Sequence, residues 1–448
     1  MNGFVEVSFL LVILAVLAGY ILGVFSGLVP GIHTNNFALI LLATSSILAD
    51  HGVISIYIAI IILSNSISHS FHDIIPAIFL GAPNDDMALA VLPGHTLLME
   101  GQGPEAIRLS ALGSAGSVAL ALIIAVPLSM FFAFAYPFVQ ENMALLLIMV
   151  VIVMLMSEKG EFIPGQGSLA HWKSRFYALI IFIASGLLGI FAFETEYLMH
   201  PFISLGEASI LLPLLSGLFG SSQLIISMLS DPVIPLQFAS GIDLERKKIF
   251  RGIILGGISG SFVAWLPGIS SSIATVFARL FIKSDFSASD HHDPGNEEES
   301  ISASKEFIVS VSGVNTCNAI FGLFALVVIG RSRSGAMVAV NELLGNISPD
   351  ISTVLLFLSA IALTALLSYF STIYLGDNIH RSLSKLNYSF LCYIVLGLLS
   401  IIVLAFTGIF GFLIFLIATP VGMLAPFLNI RKSHAMGVIL LPVILYFI

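Results

Sequence analysis

Two apolar segments of this chain are interrupted by the same Pro-Gly pair, 237 residues apart. The first reads G-V-F-S-G-L-V-P-G-I from Gly23, and the second reads G-S-F-V-A-W-L-P-G-I from Gly260. Proline removes a backbone N–H and leaves a carbonyl without its helical partner, and the glycine after it lets the chain turn. Because lipid cannot hydrogen-bond the freed groups, they must line a protein cavity or a water path within a bilayer. Two such breaks in corresponding halves are typical of a transporter's substrate site.

The composition places these breaks in a membrane. Hydrophobic residues make up 58% of the chain and charged residues 10%, whereas soluble domains carry about 25% charged residues. Many apolar runs reach the roughly 20 residues that a helix needs to cross a bilayer. We therefore predict an all-α polytopic membrane protein of about 10–12 transmembrane helices, with two structural repeats that contain broken or re-entrant helices.

The predicted spans follow the apolar runs. The long ones are 5–29, 105–135, 137–156, 175–195, 207–229, 248–266, 306–329, 350–373, 387–407, 409–427 and 433–448. Shorter apolar pieces lie at 36–48, 53–64, 74–82 and 269–283. These pieces are too short to cross a bilayer, so we expect half-helices or re-entrant hairpins there.

A second matching element follows each break. Ser64–Ser68 reads S-N-S-I-S, and Val314–Asn318 reads V-N-T-C-N at an offset of 250 residues. Gly81 follows the first element and Gly330 the second. The shared order predicts a duplication, and the sequence leaves open whether the repeats are inverted or parallel. The predicted boundaries are a first repeat at 1–156, connecting helices at 157–245, a second repeat at 246–373 and C-terminal helices at 374–448.

Amide and hydroxyl side chains in these elements are candidates for substrate binding. Asn65 and Ser66 occupy places in the first half that correspond to Asn315 and Thr316 in the second. Such groups can also simply join helices, where each contact contributes about 0.6 kcal/mol on average. Their position beside broken helices favours the functional interpretation. Their oxygens and freed carbonyls suit a hard cation, and freed N–H groups at half-helix starts suit an anion.

Ionisable residues follow the first element as H-S-F-H-D, from His69 to Asp73, with His72 between them. Ionisable groups at membrane depth are functional candidates, here for a proton or a substrate contact. A structural role in capping the next short helix is the alternative for His72 and Asp73. Asp85 and Asp86, after the turn at Gly81, suit either helix capping or cation coordination.

Two arginines, Arg331 and Arg333, follow Gly330 at the corresponding turn of the second half. The guanidinium fork matches a carboxylate or phosphate bidentately, so these residues could form an anion clamp. The alternative is a cytoplasmic loop that carries arginines under the positive-inside rule.

The two Pro-Gly breaks, the segment A-P-N-D-D-M-A-L-A-V-L-P-G-H-T-L-L-M-E-G-Q-G-P-E-A-I-R-L-S-A (82–111) and the asparagine-containing element at 315–318 resemble one family. They are similar to the large membrane subunit of tripartite tricarboxylate transporters, the TctA-like permeases. The resemblance covers most of the chain. It implies a secondary transporter for an organic anion, driven by an ion gradient and embedded in the cell membrane of a prokaryote.

The chain departs from the family pattern at two places. His33-Thr34-Asn35-Asn36 stands where the family has glycine and small residues, and Gly330-Arg331-Ser332-Arg333 replaces a Gly/Pro-rich loop. These departures resemble those of a diverged, mainly archaeal branch. They leave open the substrate and the need for a periplasmic binding protein and a small membrane subunit.

The sequence therefore predicts an anion transporter that works by alternating access and symport with a cation. The candidate substrate-binding residues are Pro30, Gly31, His33, Thr34, Asn35, Asn65, Ser66, Pro267, Gly268, Ser270, Ser271, Asn315, Thr316, Arg331 and Arg333. The candidate ion-coupling residues are His69, His72, Asp73, Asp85, Asp86 and Asn318. We expect no metal and no cofactor apart from Na⁺ or H⁺ as coupling ion, and the bilayer and a small anion, not nucleic acid, as partners.

Three questions stay open at this level. A homodimer is neither indicated nor excluded. A translocase for a polyprenyl-phosphate-like lipid carrier is the first alternative function, and a lateral opening faced by arginines would favour it. An intramembrane enzyme is the second alternative, with His72 and Asp73 as the available pair. The sequence contains no Walker or dinucleotide motif, so ATP-driven pumping is not indicated.

Overall fold

The computed structural model describes residues 8–29, 34–43, 45, 54–79, 81, 85–156, 158, 169–203, 210–229, 235–238, 241–266, 271–282, 294–345, 350–383 and 388–448. Every regular element in these ranges is helical, and no strand occurs in them. Seven helices there are long and apolar enough to cross a membrane: Phe9–Leu28, Ser55–Phe79, Gly103–Glu141, Trp172–Glu194, Glu298–Ile329, Ile351–Ile379 and Cys392–Phe427. The prediction of an all-α polytopic membrane protein is confirmed.

The helices alternate between long spans and short pieces. The first part comprises α1 (Phe9–Leu28), α2 (Thr34–Ala43), α3 (Ser55–His72), α4 (Ile74–Phe79), a 3₁₀ helix (Asp85–Ala90), α5 (Val91–Met99) and α6 (Gly103–Glu141). The middle comprises α7 (Met143–Met156), α8 (Leu169–Glu194), a 3₁₀ turn (Glu196–Leu198), α9 (Leu211–Leu215), a π-helical turn (Ser216–Ser221) and α10 (Ser222–Leu229). The last part comprises α11 (Arg246–Val263), α12 (Ser271–Phe281), α13 (Pro294–Ile329), α14 (Gly335–Leu343), α15 (Ile351–Leu383), α16 (Tyr388–Phe427), a 3₁₀ helix (Lys432–Met436) and α17 (Gly437–Phe447).

The element at 53–64 was predicted as a short piece, and this prediction is wrong. Helix α3 continues through the polar motif to His72 and is largely buried. The motif does not end the helix because its side chains find partners on neighbouring helices. Ser68 Oγ, for example, donates a hydrogen bond to the carbonyl oxygen of Tyr20 on α1 at 2.9 Å. Polar groups that are satisfied in this way are compatible with a continuous buried helix.

Helix α16 contains a break at Gly408, which has φ 72° and ψ −169°. A Cβ atom at this position would lie 2.2 Å from the carbonyl oxygen of His200. The left-handed conformation and the close approach both require glycine here. The break separates two apolar stretches that match the predicted spans 387–407 and 409–427.

The helix before each Pro-Gly break packs closely on the helix that carries the asparagine motif of the same half. Helix α1 contacts α3, and α11 contacts α13. A Cβ on Gly23 would come within 2.4 Å of Ser68 Cβ, and one on Gly260 within 2.3 Å of the Val314 oxygen. Glycines at four-residue spacing let the helix backbones approach in this way. The glycines of these two faces are Gly19, Gly23 and Gly27 on α1, and Gly252, Gly256 and Gly260 on α11.

Ion pairs join α6, α13 and α15 near the start of α6. Lys305 Nζ lies 2.9 Å from Glu105 Oε1, and these side chains are only 4% and 2% exposed. Arg108 makes a two-pronged contact with Asp377 on α15. Buried charges need such partners, because an unpaired buried ion is strongly destabilising. The pairs hold α6 against α13 and α15.

Candidate functional site

A polar pocket lies between the first and last parts of the chain. The empty space in it, together with the open solvent at its mouth, is about 590 Å³. The polar residues that line it are Thr34, Asn35, Ser66, His69, Ser70, Asp86, Asn315, Asn318, Arg333 and Ser334. Val263, Ala264, Leu266, Ala319 and Gly322 supply the apolar lining. Eight of the predicted site residues thus meet at one pocket: Thr34, Asn35, Ser66, His69, Asp86, Asn315, Asn318 and Arg333.

Helix starts border the pocket. Helix α2 begins with Thr34, which lines the pocket, and α14 is capped by Ser334, whose Oγ accepts a hydrogen bond from Met337 N. The first residue of α12, Ser271, accepts a hydrogen bond at Oγ from Nδ2 of the lining residue Asn318 at 2.8 Å. The N-terminal end of a helix carries unpaired N–H groups and a positive partial charge. At α14 the N–H groups of Ala336 and Met337 are already paired with Asn35 and Ser334, so this helix start offers an anion its positive partial charge.

The end of α11 contributes the opposite polarity. Val263 and Ala264, at the end of this helix, line the pocket. C-terminal helix ends present carbonyl oxygens and a negative partial charge. Anion-favouring helix starts and a cation-favouring helix end thus meet at one pocket, which is the arrangement that broken helices produce in transporters for an anion and its coupling ion.

Short helices from the two parts of the chain touch across the pocket. Asn35 Oδ1 on α2 accepts a hydrogen bond from the backbone N–H of Ala336 on α14 at 3.0 Å. A Cβ on Gly335 would lie 3.0 Å from the Asn35 side chain, so the approach is tight. Helix α12 contacts the 3₁₀ helix Asp85–Ala90 in turn. Each contact pairs a short helix of one half with a short helix of the other.

Arg333 is the cationic residue of the pocket lining. Its guanidinium carbon lies 5.3 Å from the ring centre of Tyr136, and Nη2 donates a hydrogen bond to the tyrosine hydroxyl. Its Nε is buried and has no hydrogen-bond partner. A buried donor without a partner costs about 1–3 kcal/mol. Arg331 is exposed and does not line the pocket, so the structure separates the two arginines that the sequence had grouped.

A buried hydrogen-bond network adjoins the pocket through His69. Ser26 Oγ on α1 lies 2.9 Å from His69 Nδ1 and 3.2 Å from Asn65 Oδ1. The Asp73 carboxylate is fully buried, and its Oδ2 accepts a hydrogen bond from Asn315 Nδ2 at 2.8 Å. His69 Nε2 lies 4.0 Å from the same Oδ2. The network joins three helices, because Ser26 lies on α1, His69 on α3 and Asn315 on α13.

Other predicted residues lie beside the pocket but do not line it. His72 contacts the Ser68 oxygen at 2.7 Å through Nδ1 and Ser371 Oγ on α15 at 2.8 Å through Nε2. Asn65 is buried, and its Nδ2 has no hydrogen-bond partner. Thr316 Oγ1 lies 3.3 Å from Ser70 Oγ and also donates to the Ser312 oxygen. These residues support the lining helices from behind.

Several predictions fall outside the described residues. These are the break residues themselves: Pro30, Gly31, His33, Pro267, Gly268 and Ser270. Asp85 begins the 3₁₀ helix, but its side chain is likewise not described. The described residues contain no cluster of three or more His, Cys, Asp or Glu that could hold a metal ion.

Sequence reasoning missed four residues of the site. Ser70 and Ser334 line the pocket, Ser26 joins His69 to Asn65, and Tyr136 supports Arg333. Ser26 stands inside the first break motif, G-V-F-S-G-L-V-P-G-I, and Ser70 inside H-S-F-H-D, so both could have been included. Tyr136 lies in an apolar run of α6 about 200 residues before Arg333, and no local pattern distinguishes it.

The helices and the pocket define a polytopic membrane protein with a central polar site between short helices. The model of the Tripartite tricarboxylate transporter TctA family matches residues 13–437, which is nearly the whole chain. The chain belongs to this family. It is similar to an uncharacterized protein of Methanocaldococcus jannaschii, with 29% identity over 442 residues that span 97% of this chain and 99% of the relative. No solved structure matches it.

Proposed function

We propose that this protein is a secondary active transporter that moves a small organic anion of the carboxylate type, coupled to a cation gradient. The observation that carries the proposal is Arg333, a pocket-lining arginine whose Nε is buried without a hydrogen-bond partner. Nη2 is already engaged with Tyr136. A carboxylate in the pocket would satisfy Nε and gain a charge-assisted hydrogen bond. Membership of a transporter family supports the same function.

The rest of the pocket supports a substrate with more than one polar group. Asn35 and Asn318 lie on different sides of the lining, on α2 and α13. The starts of α2 and α14 add partial positive charge. An anion with several carboxylates would spread its charge over these groups, as the name of the family suggests. Asp86, the one acid of the described lining, would disfavour an unprotonated anion at its own end of the pocket.

Alternating access completes the proposal. The contact between Asn35 on α2 and Ala336 on α14 would close one side of the pocket, and the contact between α12 and the 3₁₀ helix would close the other. The two contacts would be equivalent if residues 1–156 and 246–373 are repeats. The similar packing of the glycine faces of α1 and α11, each on the next long helix of its own half, supports the duplication.

The setting of the transporter is part of the proposal. We place it in the cell membrane of a prokaryote, where it would take up a carboxylate from outside the cell. The family name describes one part of a three-part transporter. A soluble binding protein and a small membrane subunit would then deliver the substrate to the pocket described here.

Binding of carboxylates to the purified full-length protein tests the proposal. The probes are citrate, succinate and inorganic phosphate, and the affinity is measured by isothermal titration calorimetry in detergent. We expect Arg333→Ala to weaken citrate binding by more than a hundredfold, since loss of one partner of a buried ion pair costs roughly 3–5 kcal/mol. Arg333→Lys should recover only part of this, because an ammonium cannot reproduce the guanidinium fork. Arg331→Ala is the matched control, two residues away and exposed.

The outcomes separate the candidate functions. Equal citrate affinity in the wild type and Arg333→Ala would refute the assignment of the pocket. Tight binding of a polyprenyl phosphate, with no binding of citrate or succinate, would favour the lipid-carrier translocase instead.

A further inference from the structure

We propose that the coupling ion is a proton and that the His69 imidazole, paired with the Asp73 carboxylate, carries it. This inference rests on the proposed transport function and deepens it. His69 lines the substrate pocket, and Asp73 lies fully buried beside it with Oδ2 4.0 Å from His69 Nε2. The pair is therefore close enough to a bound anion to respond to its charge.

Hydrogen bonds of Ser26 identify the nitrogen that takes up the proton. Ser26 Oγ can donate to the Gly23 oxygen at 3.3 Å or to Asn65 Oδ1 at 3.2 Å, and both are acceptors only. A hydroxyl has one hydrogen to donate. We assign that hydrogen to one of these acceptors, so that Ser26 Oγ accepts from His69 Nδ1–H at 2.9 Å. In the neutral ring Nε2 is then the unprotonated nitrogen. The incoming proton binds at Nε2, the atom that faces Asp73.

The charge balance explains the coupling. With a neutral imidazole the pair carries a net charge of −1 from the Asp73 carboxylate, and a proton on Nε2 brings the pair to zero. An anion in the pocket is repelled by the first state and accepted by the second. Anion binding and proton binding therefore favour each other, and this coupling is reciprocal by thermodynamic necessity. The proton is released when the anion leaves, so one proton crosses the membrane in each transport cycle.

The donor set around Asp73 favours a proton over Na⁺. A hard cation is surrounded by oxygen ligands. Ca²⁺ takes six or more of them, and a smaller cation takes a complete oxygen shell at shorter distances. At Asp73 Oδ2, however, the described neighbours are nitrogen groups: the Asn315 amide donates to it at 2.8 Å, and His69 Nε2 lies 4.0 Å away. The Asn315 N–H group is directed at Oδ2, and a protonated His69 Nε2 would add a second donor on the same side. A proton on His69 strengthens the same arrangement.

Other titratable groups act on His69 from the packed helices. Among the described residues, the charged or titratable groups at or near the pocket are His72 at the end of α3, Asp73 directly after it, Asp86 on the 3₁₀ helix and Arg333 before α14. The neighbours from α1 and α13 are neutral, namely Ser26 and Asn315. The Asp73 carboxylate lies 4.0 Å from the ring and would form an ion pair with its protonated form. Arg333 opposes protonation until a bound carboxylate neutralises it, which adds to the coupling.

Uptake into proteoliposomes that contain the full-length protein tests the proton assignment, with radiolabelled citrate and succinate as probes. One arm applies an inward proton gradient without Na⁺, and the other applies an inward Na⁺ gradient at equal pH, both with the membrane potential clamped. We expect accumulation in the proton arm alone. His69→Gln holds the pair in the −1 state that repels the anion, so it should lose at least tenfold of this accumulation. Asp73→Asn removes the carboxylate that balances the proton, so its uptake should respond at least tenfold less to the proton gradient.

His72→Gln is the matched control, because His72 is a buried histidine of the same helix that contacts Ser371 instead of the pocket. It should accumulate citrate as the wild type does. Thermal unfolding at the wild-type temperature shows that each variant is folded. Accumulation driven by Na⁺ and not by protons, with binding still dependent on Arg333, would overturn the proton assignment alone and leave the proposed function intact. Normal proton-driven accumulation by both His69→Gln and Asp73→Asn would also overturn it.

Discussion

Replacement of Gly260 by alanine should separate α11 from α13 and damage the pocket at the end of α11. The new Cβ would lie 2.3 Å from the Val314 carbonyl oxygen, whereas favourable C···O contacts lie at about 3.3–3.6 Å. The helices must therefore move apart by roughly 1 Å, and such overpacking costs about 1–3 kcal/mol. Alanine also gains about 0.5–1 kcal/mol over glycine in a helix, which partly offsets this cost.

Gly397→Ala is the control for the helix propensity that alanine gains over glycine. Gly397 lies within α16, and a Cβ there would meet nothing within 4 Å. Both variants gain the same helix propensity, so Gly260→Ala should be less stable than Gly397→Ala by about 1–3 kcal/mol. Thermal unfolding of the purified proteins, followed by tryptophan fluorescence, measures the order of stability. Citrate affinity should fall in Gly260→Ala alone, since Val263 and Ala264 follow on the same helix and line the pocket. Equal stability and equal affinity of the two variants would refute the packing argument.

Three further substitutions test other parts of the account. Tyr136→Phe removes the hydroxyl that Arg333 Nη2 contacts. Citrate affinity measured by calorimetry should therefore fall about tenfold. An unchanged affinity would exclude a positioning role for Tyr136. Asn35→Asp keeps the acceptor for Ala336 N–H but adds a negative charge to the pocket. Citrate binding should therefore weaken while thermal stability is maintained. Tighter citrate binding would contradict an anion site. Lys305→Met leaves Glu105 buried without its ammonium partner and should destabilise the protein by about 3–5 kcal/mol. The double variant with Glu105→Gln should recover much of this stability. Equal instability of the single and double variants would contradict the pairing.

Apolar run length predicted most of the helices, because helices that cross a bilayer must be continuous and apolar. The two spans on either side of Gly408 were predicted separately, and the helix is broken at that glycine. Helix α3 was shortened because Asn65, Ser66 and Ser68 look like an interruption in the sequence. Their partners lie on other helices, such as Tyr20 on α1, and a linear pattern cannot show partners that only the fold provides.

The pocket was predictable where a local motif carried the information. Asn35, Asn315 and Asn318 stand beside breaks or in the asparagine motif, and they line the pocket. The difference between Arg331 and Arg333 was not predictable, because both follow Gly330 in one short turn and only the path of the backbone decides which side chain enters the pocket. The roles of all these residues in substrate and ion binding stay predictions until they are measured.

Exchange of radiolabelled citrate across proteoliposome membranes is the most direct test of the central claim, that the Arg333 pocket binds and carries a carboxylate. The wild type, Arg331→Ala and Arg333→Ala are reconstituted in equal amounts, and labelled citrate outside is exchanged for unlabelled citrate inside. We predict saturable exchange by the wild type and by Arg331→Ala, and a loss of at least a hundredfold in Arg333→Ala at citrate concentrations below saturation. Exchange by Arg333→Ala at the wild-type rate, or no exchange of citrate or succinate by the wild type, would contradict the account.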